Sequence, residues 1–171
     1  MFDILGIDNI FIRYSYDIEK CDAIVIPGGE STTMSKQIDR NNLRYSLKEY
    51  SKTNALFGTC AGMILLSTTN ESINLQPLGI MDFAVNRNAY GRQIQSFSDN
   101  VQLDFCDDVD FQGVFIRAPK VSKMGKNIKI LAKYKKEPVM ITDGRHFVTS
   151  FHPEIGSDIR IHNYFIEQIN A

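Results

Sequence analysis

Residues 55–66 read ALFGTCAGMILL, and the rest of the chain can be read outward from them. An apolar run ends at Gly58, Cys60 follows, and Gly62 opens a second apolar run, which predicts a strand, a tight turn and a helix. The glycines remove Cβ atoms where backbone must approach backbone, so the turn can be sharp. The partial positive charge of a helix N-terminus favours a thiolate there. Cys60 is therefore either a nucleophile or a small buried hydrophobe, the usual role of a cysteine among apolar residues.

A similar unit precedes this one in the chain. Residues 23–26, AIVI, are a β-branched run typical of a parallel strand covered on both faces. The run ends at PGGESTT, residues 27–33, where proline and glycine stop the strand and the Ser/Thr group is suited to cap a helix. Apolar residues at helical spacing follow, with a break at Asn41-Asn42: Met34, Ile38, Leu43, Leu47 and Tyr50. Two successive units of strand, glycine loop and helix predict a parallel α/β sheet, in which both loops lie at the carboxyl ends of neighbouring strands.

The remaining segments add further strands and a closing helix. Residues 1–9 read as the tail of a helix that ends near Gly6, and an amphipathic helix is predicted within 159–169. Asp143-Gly144 is a strong hairpin signal between two apolar runs. Strands are predicted at residues 10–14, 114–119, 128–132, 138–141 and 146–151. No linker or repeat interrupts the chain, so one domain over residues 1–171 is expected.

Composition narrows the class of protein. The 171 residues carry a net charge of -1, which gives no general attraction to nucleic acid or to acidic membranes. Three widely spaced cysteines make no disulfide framework, and no His or Cys spacing predicts a metal site. Neither a signal peptide nor a membrane-spanning run is present in the sequence. A reduced, cytoplasmic protein is expected.

His152 and Glu154 are the candidate partners of Cys60. They are two residues apart, so on an extended segment both side chains project to the same side, where Glu154 can orient the imidazole. Taken singly, each is more often a hydrogen-bonded or solvated residue without a role in chemistry. Their position after the last strand of the same sheet favours the pair. His146 and His162 are expected to be surface or packing residues.

Five motifs occur in the order found in one known family: PGGEST at 27–32, GTCAG at 58–62, RNAYGRQ at 87–93, IRAP at 116–119 and FHPE at 151–154. Together they resemble the glutaminase subunits of pyridoxal phosphate synthases, which are class I (triad-type) glutamine amidotransferases. The resemblance runs from about residue 5 to residue 171. The first and third motifs are the narrower ones and indicate the vitamin B6 branch. The implied fold is flavodoxin-like α/β, with a mostly parallel sheet and helices on both faces.

The resemblance also implies roles for individual residues. Cys60 would attack the side-chain amide of L-glutamine, His152 would act as base and then acid, and Glu154 would orient His152. Backbone N–H groups of Ala61 and of the Gly28-Gly29 loop would form the oxyanion hole. The positions that match the glutamine-binding residues of the family are Gly29, Glu30, Ser31, Arg87, Ile116 and Arg117.

Further implications concern the partner and the start of the fold. In this family the ammonia passes to a (β/α)8-barrel synthase subunit that builds pyridoxal phosphate, and the glutaminase needs no metal or organic cofactor. Members of the family begin with an apolar strand that ends in a Leu-Gln-Gly-type turn. Because this sequence starts about where the following helix ends, the fold is expected to lack the usual first strand.

The sequence leaves three alternative functions open. The chain could be a non-catalytic or poorly active glutaminase-like subunit that binds glutamine or the synthase, given the expected missing strand. It could also serve another pathway, such as histidine synthesis, although the two narrower motifs argue against this. A cysteine hydrolase of the related peptidase-like group is disfavoured, because His152 comes late in the chain and is paired with Glu154.

Overall fold

A computed structural model describes residues 1–70, 75–86, 96–106 and 110–170. The helices in these residues are α1 (Ser15–Ile18), α2 (Ser31–Arg40), α3 (Leu43–Ser51), α4 (Ala61–Leu66) and α5 (Arg160–Ile169). The strands are β1 (Ala23–Ile26), β2 (Ala55–Thr59), β3 (Ser67–Asn70), β4 (Met81–Asn86), β5 (Ser96–Leu103), β6 (Phe111–Ile116), β7 (Lys120–Met124), β8 (Lys129–Tyr134), β9 (Glu137–Thr142) and β10 (Phe147–Thr149). They form one sheet in the order β1-β2-β10-β9-β8-β5-β6 and a second in the order β3-β4-β7.

Three neighbouring strands, β1, β2 and β10, form the parallel part of the large sheet. Ala23 lies opposite Ala55 between β1 and β2, and Phe147 lies opposite Phe57 between β10 and β2. All five residues of the central strand β2 are buried. The loops that follow the three strands therefore meet at one edge of the sheet, as predicted from the two glycine loops.

Helices cover both faces of the parallel part. Leu56 belongs to the core on one face, together with Leu47 of α3 and Met63 of α4. Its neighbour Phe57 belongs to the core on the other face, together with Phe165 of α5. Because successive strand residues point to opposite faces, the buried strand β2 serves both cores. The predicted α/β layering, with helices on both faces, is confirmed.

The large sheet is mixed, because its parallel strands are followed by antiparallel ones. From β10 to β6, each neighbouring pair of strands is antiparallel. Two of these pairs, β8–β9 and β9–β10, are joined by the short links 135–136 and 143–146, and links of this length can join only antiparallel neighbours. The Asp143-Gly144 turn is one of them, and Gly144 has a φ of 98°, as the hairpin prediction requires.

The segment before β1 differs from its prediction. Residues 10–14, expected as a strand, have no strand pairing, and the side chains of Ile10 and Phe11 are 53% and 88% exposed. Within the described residues β1 pairs only with β2, so residues 10–14 have no ladder to join. An apolar, β-branched sequence forms a strand only where a partner supplies hydrogen bonds. In the described chain, no helix is long and apolar enough to cross a membrane.

Candidate active site

Cys60 lies at the turn between β2 and α4 and adopts a strained backbone conformation. Its φ of 49° and ψ of -99° fall outside the regions that non-glycine residues prefer. Its N–H donates to the carbonyl oxygen of Thr149 at 2.8 Å, which fixes the turn to the end of β10. Backbone strain held in place by neighbouring structure is typical of functional sites.

Two glycines make this turn possible, as the sequence predicts. A Cβ on Gly62 would overlap the carbonyl oxygen of Ile26 at the end of β1. A Cβ on Gly58 would lie 2.7 Å from the carbonyl carbon of Gly62. The start of α4 therefore packs directly on the backbones of β1 and β2, and this brings Cys60 beside the loop that follows β1.

His152 and Glu154 lie after β10 and form the predicted pair. Nδ1 of His152 lies 2.7 Å from Oε1 of Glu154, so Nε2 is left for Cys60. The N–H of His152 donates to the carbonyl oxygen of Val114 in β6 at 2.8 Å, which anchors the segment. Only 12% of the His152 side chain is exposed, against 36% for Glu154.

The charges of this pair follow from its contacts. Hydrogen bonds with the side chains of Cys60 and Glu154, in that order of importance, raise the pKa of His152 to about 10. Burial opposes the charge of Glu154, yet the hydrogen bond with His152 and other contacts hold its pKa below the usual range. At neutral pH the site therefore favours a protonated His152 paired with an ionised Glu154.

The loop of residues 27–30 packs against the same histidine. A Cβ on Gly28 would overlap Cε1 of His152, so only glycine permits this contact. The loop leads into α2, whose N-cap is Glu30. The sequence predicted the Ser/Thr group as the cap, but Ser31, Thr32 and Thr33 are the first residues of the helix, and Glu30 accepts from the last two.

The other predicted glutamine-binding residues lie in two places. Ile116 ends β6 and Arg117 follows it, and Sγ of Cys60 lies 3.6 Å from the carbonyl oxygen of Ile116. Arg117 has a φ of 46°, a second strained position beside the thiol. Ser31 is 1% exposed, and its hydroxyl has no hydrogen-bond partner among the described residues. Arg87 and the rest of its motif lie outside the described residues.

Some residues of the site are not visible in the sequence. The carbonyl groups of Thr149 and Val114 anchor Cys60 and His152, and no sequence signal identifies them because any residue type offers a carbonyl. The two histidines predicted as surface or packing residues, His146 and His162, are both buried, at 4% and 2% exposure. Where the chain is described, no group of three or more His, Cys, Asp or Glu residues could hold a metal ion.

Sequence comparisons agree with this geometry. The model of the SNO glutamine amidotransferase family matches residues 3–171. The chain is similar to proteins named pyridoxal 5'-phosphate synthase subunit PdxT. It is 42% identical over 170 residues to that of Thermosipho africanus, covering 99% of this chain and 90% of the relative. It is 38% identical over 166 residues to that of Thermotoga petrophila, covering 96% and 88%.

Solved structures give the same result for the fold. A crystal structure described as a glutamine amidotransferase superposes with a TM-score of 0.93 at 35% identity, covering 99% of this chain and 90% of the other. The structure of a putative GMP synthase component from Thermoplasma acidophilum has a TM-score of 0.68 at 16% identity, covering 99% and 84%, and shares the fold. The predicted flavodoxin-like glutamine amidotransferase fold is thereby confirmed.

Proposed function

The chain belongs to the SNO glutamine amidotransferase family, and from this premise we propose that it hydrolyses L-glutamine to L-glutamate and ammonia for pyridoxal phosphate synthesis. One observation carries the assignment of the chemistry. Cys60, His152 and Glu154 come from two separate turns of the sheet edge, yet His152 contacts both of the other side chains. This is the arrangement of a nucleophile, a base and an orienting carboxylate.

The reaction proceeds through a thioester. The Cys60 thiolate attacks the Cδ of glutamine, and His152 gives its proton to the leaving nitrogen as the C–N bond breaks and ammonia departs. The neutral His152 then takes a proton from water, which attacks the thioester, releases glutamate and leaves the thiolate and imidazolium. The raised pKa of His152 supports this scheme, because the imidazolium that gives its proton to the leaving nitrogen is present at neutral pH before substrate binds.

The tetrahedral intermediate needs hydrogen-bond donors for its oxyanion. Ala61 is the first residue of α4, and its N–H is one of those a helix leaves without an internal partner. The second donor comes from the Gly28-Gly29 loop, which packs against His152. Each such donor contributes roughly 10²–10³ to the rate.

Glutamine is held by two segments around the thiol. The first is the loop of Gly29, Glu30 and Ser31, and the second is the end of β6 at Ile116 and Arg117. Arg87 is the further candidate. An arginine is the natural partner of the substrate α-carboxylate, because its guanidinium matches a carboxylate with two parallel hydrogen bonds.

The ammonia product passes to a synthase subunit. Relatives at 38% and 42% identity are named as subunits of pyridoxal 5'-phosphate synthase. We infer that this chain, as one glutaminase domain over residues 1–171, docks on the barrel subunit of that synthase in the cytoplasm and passes ammonia to it. The triad chemistry itself requires no metal or organic cofactor.

The test measures glutamate and ammonia release by the purified protein, with and without the synthase subunit. We expect release when the synthase subunit is present, together with a loss of at least about 10⁴-fold in Cys60→Ala. Cys21→Ala, which removes a half-buried thiol before β1, is the matched control and should keep full activity. Glutamine binding without turnover in the wild-type complex would instead indicate a non-catalytic protein, and unchanged release in Cys60→Ala would remove the nucleophile assignment.

A further inference from the structure

The carboxylate of Glu30 has three hydrogen bonds with the first turn of α2. Oε1 accepts from the N–H of Thr32 at 3.1 Å. Oε2 accepts from the N–H of Thr33 at 2.6 Å and from the Thr33 hydroxyl at 2.7 Å. Two backbone N–H groups that lack helical partners are thereby satisfied by one side chain. The Glu30 side chain therefore points toward the residues that follow it, Thr32 and Thr33.

These contacts keep the carboxylate ionised. The hydrogen bonds from the hydroxyl and N–H of Thr33, followed by that from Thr32, lower the pKa of Glu30 to about 2. A carboxylate with its negative charge at a helix N-terminus also matches the helix dipole. Glu30 is therefore charged at neutral pH, where its carboxylate accepts hydrogen bonds from the first turn of α2.

The residues just before Glu30 are held by the catalytic centre itself. Ile26 contacts the backbone of Gly62, and Gly28 contacts the His152 ring, both so closely that a Cβ on either glycine would overlap its neighbour. The entry side of the loop is thus fixed by packing. Its exit side, after Gly29, is fixed by the Glu30 cap, so the Gly28-Gly29 peptide lies between two anchors.

We propose that Glu30 is a positioning residue, whose carboxylate caps α2 and thereby orients the Gly28-Gly29 peptide toward the intermediate formed on Cys60. The inference rests on the proposed function and gives this member of the glutamine-binding loop a specific task. Glu30 can still meet glutamine through its backbone, while its carboxylate acts through the loop. Preorganised donors accelerate a reaction only if they point at the developing charge before it forms.

The test separates a cap from a charged contact with glutamine. Asparagine is neutral and shorter than glutamate but is among the best N-cap residues, whereas alanine cannot cap. We expect Glu30→Ala to lower kcat by about tenfold, less than the loss of a whole oxyanion donor, with KM within about twofold of wild type. Glu30→Asn should recover kcat to within about threefold.

A matched control removes an equivalent carboxylate elsewhere. Asp17 accepts from the N–H groups of Arg13 and Tyr14 at 3.1 and 3.0 Å at the start of α1, outside the loops of the site. Asp17→Ala should leave both kcat and KM unchanged. If Glu30→Asn is as impaired as Glu30→Ala, or if the loss appears in KM, the carboxylate contacts glutamine and the proposal is wrong.

A second readout does not depend on turnover. Amide hydrogen exchange over residues 26–34 should be about fivefold faster in Glu30→Ala than in wild type and near wild type in Glu30→Asn. Unchanged exchange in Glu30→Ala overturns the anchoring role even if the complex is fully active. A wild-type complex that releases no glutamate overturns the proposed function instead, while exchange over the loop still reports whether Glu30 anchors it.

Discussion

Two histidines flank the same short strand, β10, and their electrostatic states are opposite. His146 lies just before the strand, at the amino ends of the parallel strands, and its Nδ1 accepts from the N–H of Leu56 at 3.2 Å. Burial lowers its pKa, so it is neutral, as an acceptor must be. His152 lies just after the strand, at the carboxyl ends, where Cys60 and Glu154 raise its pKa to about 10.

The opposite pKa shifts of His146 and His152 show that the two ends of the parallel strands differ in role. At the amino ends, His146 satisfies a backbone N–H at the start of β2, which would otherwise be buried without a partner. At the carboxyl ends, the turn after β2 and the segment after β10 bring a thiol and a carboxylate to one imidazole. The residue type is the same, and its neighbours set the charge. The amino ends contribute stability, and the carboxyl ends hold the proposed catalytic residues.

The largest expected effect is on kcat, which should fall when His152 is replaced but not when His146 is replaced. His152→Asn should lower kcat for glutamine hydrolysis by at least about 10⁴-fold, because the general base is lost. His146→Asn should leave kcat per folded molecule unchanged, although it lowers the free energy of unfolding by about 2 kcal/mol through the disturbed buried hydrogen bond. Steady-state kinetics on the synthase complex and urea unfolding measure the two quantities. A kcat loss above about tenfold in folded His146→Asn would contradict the division.

A smaller effect concerns the backbone at the carboxyl ends. Gly62→Ala should destabilise the fold by about 3 kcal/mol, since its Cβ meets the fixed backbone of Ile26. Gly144→Ala, in the hairpin near His146, should cost only about 1 kcal/mol, because no atom lies within 4 Å of its Cβ and only the φ of 98° is unfavourable. Urea unfolding of both variants measures the difference. Equal losses would mean that close packing at the Cys60 turn adds nothing beyond backbone preference.

The smallest effect is on the pH dependence of stability. The charged state of His152 is favoured in the folded protein, so its contribution is fully present below its ordinary pKa of 6.5 and is lost as pH rises toward 10. The neutral state of His146 is favoured, so its contribution is present above 6.5 and is lost as pH falls below that value. The difference in unfolding free energy between wild type and each Asn variant, measured from pH 5 to 9, should therefore change in opposite directions. We expect at least about 1 kcal/mol of change for His152.

Particular residues mark where prediction from the sequence succeeded. The glycine-framed Cys60 turn, the spacing of His152 and Glu154 and the Asp143-Gly144 hairpin all rest on local geometry, and local geometry is encoded in neighbouring residues. Residues 10–14 have an equally strong local pattern but no strand partner in the described chain. Their predicted strand was wrong, because pairing is a property of what lies beside a segment.

Glu30 shows the same limit within the site. The family resemblance predicted it as part of a glutamine-binding loop, and nothing in the sequence indicated that its carboxylate turns back to Thr32 and Thr33. The antiparallel pairing beyond β10 was likewise only partly visible, through one hairpin signal. Neighbouring residues allow several hydrogen-bond partners for the Glu30 carboxylate and several pairings for these strands. The surrounding structure decides which of them forms.

By itself, the sequence determined the family and the α/β layering and predicted the three residues of the proposed triad, since these depend on residue types at fixed local spacing. Only the tertiary structure decided the charges of the histidines, the anchoring of Cys60 by Thr149 and the cap that Glu30 forms on α2. Those features depend on distances between segments far apart in the chain, where burial and hydrogen bonding set the free energy. His146 and His152 are six residues apart, and the sheet between them is what makes one a structural acceptor and the other the proposed catalytic base.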